Sequence, residues 1–151
     1  MITFRKAVLT DIPELVRLRI EFISKINSTS ESPLDLSKEL FNYFKESMEK
    51  GTFAAWLASD NENLIATSGI CFYTVPPSFS NLTGNTSYIM NMYTLEQYRN
   101  QGIASELFER IIEEAKSRGC KKIYLHATES GRPLYKKFGF KETDNEMAYS
   151  L

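Results

Sequence analysis

The architecture follows from one continuous stretch. It begins with Ser87-Tyr-Ile-Met-Asn-Met-Tyr93, continues through Thr94-Leu-Glu-Gln-Tyr-Arg-Asn-Gln-Gly-Ile-Ala104 and runs on to Arg118. The first segment has the apolar and aromatic content of a β-strand. The later apolar residues recur at the intervals of an amphipathic helix, namely Ile103, Ala104, Leu107, Phe108, Ile111, Ile112 and Ala115. The stretch therefore predicts a strand, a short turn and a long helix that starts near Gln101 or Gly102.

The turn at 99–105 has the composition of an anion site. A helix start presents unpaired backbone N–H groups and the positive end of the helix dipole. Gly102 leaves room for a phosphate, and Arg99 adds a permanent positive charge beside it. A glycine before a helix is also common in turns that bind nothing. A Walker-type loop and a dinucleotide-binding loop are both excluded, because Gly102 is followed by Ile103-Ala104 and the further glycines are missing.

Two segments resemble the signatures of the GNAT superfamily of N-acetyltransferases. Arg99-Asn-Gln-Gly-Ile-Ala104 is similar to its acetyl-CoA motif, Gln/Arg-x-x-Gly-x-Gly/Ala. Tyr135-Lys-Lys-Phe-Gly-Phe140 is similar to its second motif near the C-terminus, and the first strand and helix also resemble the superfamily. The resemblance covers nearly the whole chain. It implies acetyl-CoA as the donor, an amine as the acceptor and no metal.

The resemblance also implies which residues form the site. The pyrophosphate of CoA would lie against the turn, and the pantetheine arm would pair with the backbone around Met92–Thr94. The implied CoA-binding residues are Met92, Tyr93, Thr94, Arg99, Asn100, Gln101, Gly102, Ile103, Ala104 and Ser105. Tyr135 occupies the position of a tyrosine that protonates the departing thiolate, although it could instead serve only to pack on Phe140. The chain departs from the motif at Thr128 and Gly131, where many members carry Asn and Ala.

The base that deprotonates the amine is not assigned. A lysine-like amine with a pKa of about 10.4 costs roughly 4–5 kcal/mol to deprotonate at pH 7. His126, the single histidine of the chain, lies near the end of the strand predicted at 121–127, and Glu129 comes just after that strand. Water is the third candidate. No Cys–His or Ser–His signature supplies a nucleophile, so direct attack by the amine is expected.

The remaining elements predict a mixed α/β fold with a mainly antiparallel sheet in one domain, 1–151. A first strand spans 2–7, and Asp11 is expected to cap a helix on which Arg17, Arg19 and Glu21 lie away from the centre of the apolar stripe. Glu21 is expected to be solvated, with contact to a cationic acceptor as the alternative. A linker at 27–33 leads to a helix at 35–50, strands at 52–59 and 64–74, a short helix at 133–138 and a closing hairpin at 140–143 and 146–151. The resemblance implies that the strands at 87–93 and 121–127 are parallel and splay apart at their C-terminal ends.

The segment 75–84 is the longest one without periodicity. Such loops often carry specificity. Two roles are open for Phe72, Tyr73, Phe79 and the prolines: they line an acceptor pocket, or they cover the edge of the sheet.

Composition limits the partners. A net charge of −1 and a pI near 5.9 argue against nucleic acid. No apolar run approaches the roughly 20 residues of a membrane span, and no signal-peptide core is seen, so a cytoplasmic protein is expected. Cys71 and Cys120 fit reduced structural thiols.

A homodimer is compatible with the resemblance. The main alternative to an enzyme is a non-catalytic acyl-CoA-binding or sensor module on the same fold.

Overall fold

A five-stranded sheet forms the centre of the computed structural model, which describes residues 1–26, 33–143 and 145–151. The strands lie side by side in chain order: β1 (Ile2–Lys6), β2 (Phe53–Asp60), β3 (Asn63–Thr74), β4 (Asn85–Thr94) and β5 (Lys122–Leu125). Neighbours are antiparallel except β4 and β5, which are parallel. The predicted mixed α/β fold with a mainly antiparallel sheet is therefore confirmed.

Helices cover both faces of this sheet. They are α1 (Ile12–Ile26), α2 (Pro33–Lys50), α3 (Ile103–Ser117) and α4 (Arg132–Lys137). On one face, α1 and α2 pack on β2 through a cluster that includes Leu15, Phe44 and Leu57. On the other face, Phe108 and Ile111 of α3 pack with Ile70 and Ile89 of the central strands and with Tyr135 of α4. The apolar stripe predicted for α3 is the stripe that is buried.

The start of α3 is close to the position expected from the sequence. Gly102 precedes the helix with φ +81°, a left-handed conformation that glycine adopts without steric cost. Asn100 is also left-handed, with φ +61°. Two such residues close together turn the chain sharply between the end of β4 and the first turn of α3.

β4 and β5 separate at their C-terminal ends. Their parallel pairing runs only from Thr86 opposite Lys122 to Ile89 opposite Leu125. β4 continues to Thr94, whereas the chain leaves β5 at His126. The splay that the resemblance implied is confirmed, and it opens a cleft beside residues 90–94 of β4.

Two predictions at the N-terminal side are wrong in detail. Asp11 does not cap α1, because it lies in a 3₁₀ turn, Leu9–Asp11, that precedes the helix. Its carboxylate accepts a hydrogen bond from the Val8 N–H at 2.7 Å and pairs with both terminal nitrogens of Arg5 at 2.7 Å. The second helix begins at Pro33 rather than Asp35. Most of the predicted linker, 27–32, lies outside the described residues.

The predicted closing hairpin is also wrong. Residues 141–143 and 145–151 have no regular secondary structure, and position 144 is outside the described part. Met147 and Tyr149 are 96% and 89% exposed. The alternating pattern at 146–151 favours a strand, but a strand needs a partner, and none of the described segments pairs with these residues.

Two further observations concern the helices and the thiols. In the ranges described above, no helix is both long enough and apolar enough to cross a membrane. Cys71 and Cys120 are free and half-buried, and each packs against one of the two large apolar clusters. Burial raises the pKa of the Cys71 thiol, which disfavours the reactive thiolate form.

Candidate active site

A cavity of about 260 Å³ lies where β4 and β5 separate. Met90 and Met92 of β4, Leu125 of β5 and His126 line one part of it, and Tyr135 of α4 reaches it from the other face of the sheet. Arg19, Phe22 and Ile26 of α1 close the remaining side. The structure thus brings Met92, His126 and Tyr135, which are far apart in sequence, to one cavity.

A β-bulge shapes the β4 side of this cavity. Asn91 and Met92 together face the single residue Ser68 of β3, because Thr67 pairs with Tyr93 and Gly69 with Met90. Asn91 has φ +58°, a conformation that asparagine tolerates better than most residues. It is 4% exposed, and its Oδ1 has no hydrogen-bond partner among the described residues. This acceptor was not singled out from the sequence, although a lone amide in an apolar strand was a visible signal.

Tyr135 is held by aromatic neighbours and by a glycine. Its ring centroid lies 5.2 Å from that of Phe108 and 6.5 Å from that of Phe140. A Cβ built on Gly131 would lie 2.8 Å from the phenol oxygen, so the ring occupies the space that a side chain there would fill. The packing on Phe140 considered from the sequence is present. The hydroxyl itself makes no hydrogen bond within the described residues, and it is therefore available to a ligand.

Burial sets the protonation of this phenol. Tyr135 is 8% exposed, and desolvation raises the pKa of its hydroxyl above the ordinary value of 10.0. The phenol is consequently fully protonated at neutral pH. A protonated, unpartnered hydroxyl at the edge of a cavity is a suitable proton donor.

The turn before α3 presents a row of free donors. None of the backbone N–H groups from Asn100 to Ser105 donates to another group in the described ranges, and the first helical bond runs from the Glu106 N–H to the Gly102 carbonyl at 3.1 Å. Gly102 is exposed, and a Cβ built on it would have no atom within 4 Å. Free donors, open space and a helix start together fit the pyrophosphate of CoA.

Arg99 stands at the same turn. Its Nε donates to the Thr94 carbonyl at 3.1 Å, and its guanidinium lies 5.9 Å from the centroid of the Tyr93 ring. The side chain is exposed and pairs with no carboxylate among the described residues. Its terminal nitrogens therefore remain available for an anion.

The other implied CoA-binding residues divide into two groups. Tyr93 and Ile103 are buried, so only their backbone groups are accessible to a ligand. The Tyr93 hydroxyl accepts a hydrogen bond from Lys25 at 2.8 Å and donates one to Glu21 at 2.9 Å, which ties the end of α1 to β4. Glu21, expected to be solvated, is thus part of this tie. Met92, Thr94, Ala104 and Ser105 are half-buried, and Gln101 is exposed.

The candidate bases occupy different environments. His126 is exposed and borders the cavity. Glu129 does not line it, and its carboxylate forms an ion pair with Arg132 at 3.2 Å while its side chain is 91% exposed. Geometry therefore favours His126 over Glu129 among these two side chains.

The aperiodic loop does not line this cavity. Phe79 is fully exposed, and Phe72 packs on the α3 face of the sheet with the Arg118 guanidinium 3.9 Å from its ring centroid. Residues of α1 line the cavity instead. Arg19, which lies away from the centre of the apolar stripe of this helix, is half-buried there. The apolar stripe of α1 indicated which face packs on the sheet, but not that the flank of the helix borders an opening.

Comparison with known proteins agrees with this geometry. Residues 20–140 match the model of the acetyltransferase (GNAT) family. A predicted acetyltransferase from Clostridium acetobutylicum, solved with acetyl-CoA, is 38% identical, with a TM-score of 0.92 over 99% of this chain and 96% of that one. A GCN5-related N-acetyltransferase from Ralstonia eutropha JMP134 is 25% identical, with a TM-score of 0.87 over 100% of this chain and 99% of that one.

A curated relative matches over a shorter segment. Glucosamine 6-phosphate N-acetyltransferase from Trypanosoma brucei brucei is 27% identical over 77 residues, which are 51% of this chain and 52% of that protein. The match thus spans about half the length of that relative. The mixed five-stranded sheet and the split between β4 and β5 agree with the family match. The chain belongs to the GNAT family, and it is an acetyltransferase by that membership and by its N-acetyltransferase relatives.

Proposed function

We propose that this protein transfers the acetyl group of acetyl-CoA to a primary amine, on a small molecule or a peptide, by direct attack of the amine. The observation that carries the proposal is the position of Tyr135. Tyr135 lines the cavity at the point where β4 and β5 separate, and its hydroxyl has no hydrogen-bond partner among the described residues. The relative solved with acetyl-CoA and the N-acetyltransferases among the relatives support the donor and the acceptor class.

The residues of the turn suit the donor. The N–H groups of Asn100 to Ser105 would bind the pyrophosphate, and Arg99 would add charge. From Met90 to Tyr93, β4 pairs with no described strand on the β5 side, so its backbone there would be available to the amides of the pantetheine arm. Acetyl-CoA supplies an activated thioester, whose reaction with an amine forms an amide and releases a thiol.

Two proton transfers accompany the reaction. The amine loses a proton as the amide forms, and the leaving thiolate gains one. The Tyr135 hydroxyl is placed to donate the second proton, because it is protonated and free of other partners. His126 and water are the two routes for the first proton, since Glu129 is paired and lies outside the cavity.

A thiol-release assay over polyamines, amino acids, aminoglycosides and peptides tests this function. We expect thiol release that depends on at least one amine. The acetylated product should be about 42 mass units heavier than that amine, because an acetyl group replaces one hydrogen. CoA binding without turnover of any amine would favour the non-catalytic module instead. The homodimer and the cytoplasmic location stay predictions, and light scattering would test the first of them.

A further inference from the structure

One arginine in the cavity has no acidic partner among the side chains that the structure describes. The chain has seven arginines, and five pair with a carboxylate in the structure: Arg5 with Asp11, Arg17 with Glu14, Arg110 with Glu106, Arg118 with Glu114 and Arg132 with Glu129. Arg19 and Arg99 pair with none of the carboxylates whose side chains the structure describes. Arg99 is exposed at the turn proposed for CoA, whereas Arg19 is half-buried at the acceptor side of the cavity.

The surroundings of Arg19 are apolar rather than acidic. Its guanidinium lies 5.9 Å from the centroid of the Phe22 ring, and Ile26 and Tyr88 line the same cavity. Burial lowers the pKa of the Arg19 guanidinium from its ordinary value, but the group remains charged at neutral pH. A half-buried charge without a counter-ion is costly to maintain, and the cost is reduced when a ligand brings the opposite charge.

The geometry points to an acceptor that carries an acid as well as the amine. We propose that Arg19 binds a carboxylate or a phosphate on the amine substrate and so determines its class. The planar guanidinium offers paired N–H donors that match either anion. Tyr135 and His126 line the same cavity as Arg19, so a small molecule can place its amine near them while its acid meets α1. The proposal rests on the proposed N-acetyltransferase function and limits the amine acceptor to molecules that also carry an acid.

Matched amines test this assignment. For the carboxylate arm, ω-amino acids from glycine to 6-aminohexanoate are each compared with the alkylamine in which a methyl group replaces the acid. For the phosphate arm, glucosamine 6-phosphate is compared with glucosamine. We expect the acid-bearing member of at least one pair to have a kcat/KM at least tenfold higher. The arm that shows the preference identifies the anion.

Substitution of Arg19 separates binding from structure. Charge-assisted hydrogen bonds of this kind correspond to roughly 10- to 100-fold in affinity. We therefore expect Arg19→Gln to reduce kcat/KM for the acid-bearing amine by that factor, mainly through KM, and to leave the neutral partner and CoA affinity nearly unchanged. Arg19→Lys should retain part of the preference. Arg17→Gln, two residues away and outside the cavity, is the matched control and should keep the full preference.

Two outcomes would overturn the assignment of Arg19 while leaving the acetyltransferase intact. One is a wild-type enzyme that prefers neutral amines in every pair. The other is an equal loss for both members of a pair in Arg19→Gln. If no amine is turned over, the proposed function fails. Calorimetry of the same probes on the CoA-loaded protein still tests whether Arg19 binds an anion. Binding of an acid-bearing probe that Arg19→Gln abolishes supports the anion site, and equal binding of both members refutes it.

Discussion

Tyr135 lies directly against Gly131, one helical turn earlier in the chain. A Cβ built on Gly131 would approach the Tyr135 hydroxyl and the Cε2 atom of its ring to 2.8 Å, which is closer than real Cβ contacts allow. Gly131 has φ −87°, so its backbone does not require glycine. The position of the phenol does require it. The glycine that departs from the family motif therefore sets the place of the proposed proton donor.

Replacing Gly131 with alanine should displace this ring. We expect kcat to fall about tenfold or more, since small misplacements of catalytic groups are costly, and the free energy of unfolding to fall by about 1–3 kcal/mol from overpacking. Steady-state kinetics and urea denaturation measure the two effects. Lys137→Ala, an exposed change on the same helix, is the control. Wild-type kcat and stability in Gly131→Ala would show that the ring does not depend on this contact.

Removing only the hydroxyl of Tyr135 tests its chemistry. Tyr135→Phe keeps the ring and its contact with Phe108, so the fold and CoA affinity should change little. General acid catalysis typically contributes about 10²–10⁴-fold, and kcat should decrease by that order when chemistry limits the rate. Tyr124→Phe, at an exposed tyrosine of β5 that does not line the cavity, serves as the control. A near-normal kcat in Tyr135→Phe would assign thiolate protonation to another group or to water.

Alkaline pH should destabilise the protein through its buried phenols. Burial raises the pKa of the buried Tyr135 and the half-buried Tyr88 above the ordinary value of 10.0. As the pH passes 10, the unfolded chain releases these protons before the folded one does, so folding stability is fully present below that pH and is lost above it. Denaturation between pH 8 and about pH 11 should show this decline, and Tyr135→Phe should show a shallower one. Parallel curves for the two proteins would contradict the assigned burial of Tyr135.

Two substitutions of Gly102 separate the effect of backbone strain from the effect of contact with CoA. Its φ of +81° penalises any side chain, while the space around it is open. Gly102→Ala should therefore cost about 1 kcal/mol in stability, with a modest change in CoA affinity. Gly102→Glu adds bulk and negative charge where the pyrophosphate is expected and should greatly weaken CoA binding by calorimetry. Equal CoA affinity in the two variants would show that the pyrophosphate does not bind at this turn.

Local sequence patterns were sufficient to predict the elements that form from local interactions. The apolar spacing from Ile103 to Ala115 and the glycines at 102 and 119 indicated α3 and its limits within two residues. The strand pair predicted at 52–59 and 64–74, joined by a polar turn, corresponds to β2 and β3. These patterns are reliable because periodicity and turn chemistry act over only a few residues.

Features that depend on a distant partner were decided by the tertiary structure. The pattern at 146–151 favours a strand, but no described segment lies where it could pair with it. Asp11 has the sequence context of a helix cap, yet Arg5 of β1 and the Val8 N–H bind its carboxylate in a different turn. Arg19 lies away from the centre of the apolar stripe of α1, and only the separation of β4 from β5 places a cavity there. The cause is the same in all three, because hydrogen-bond partners and openings arise from elements far apart in the chain, and helical spacing or alternation carries no information about them.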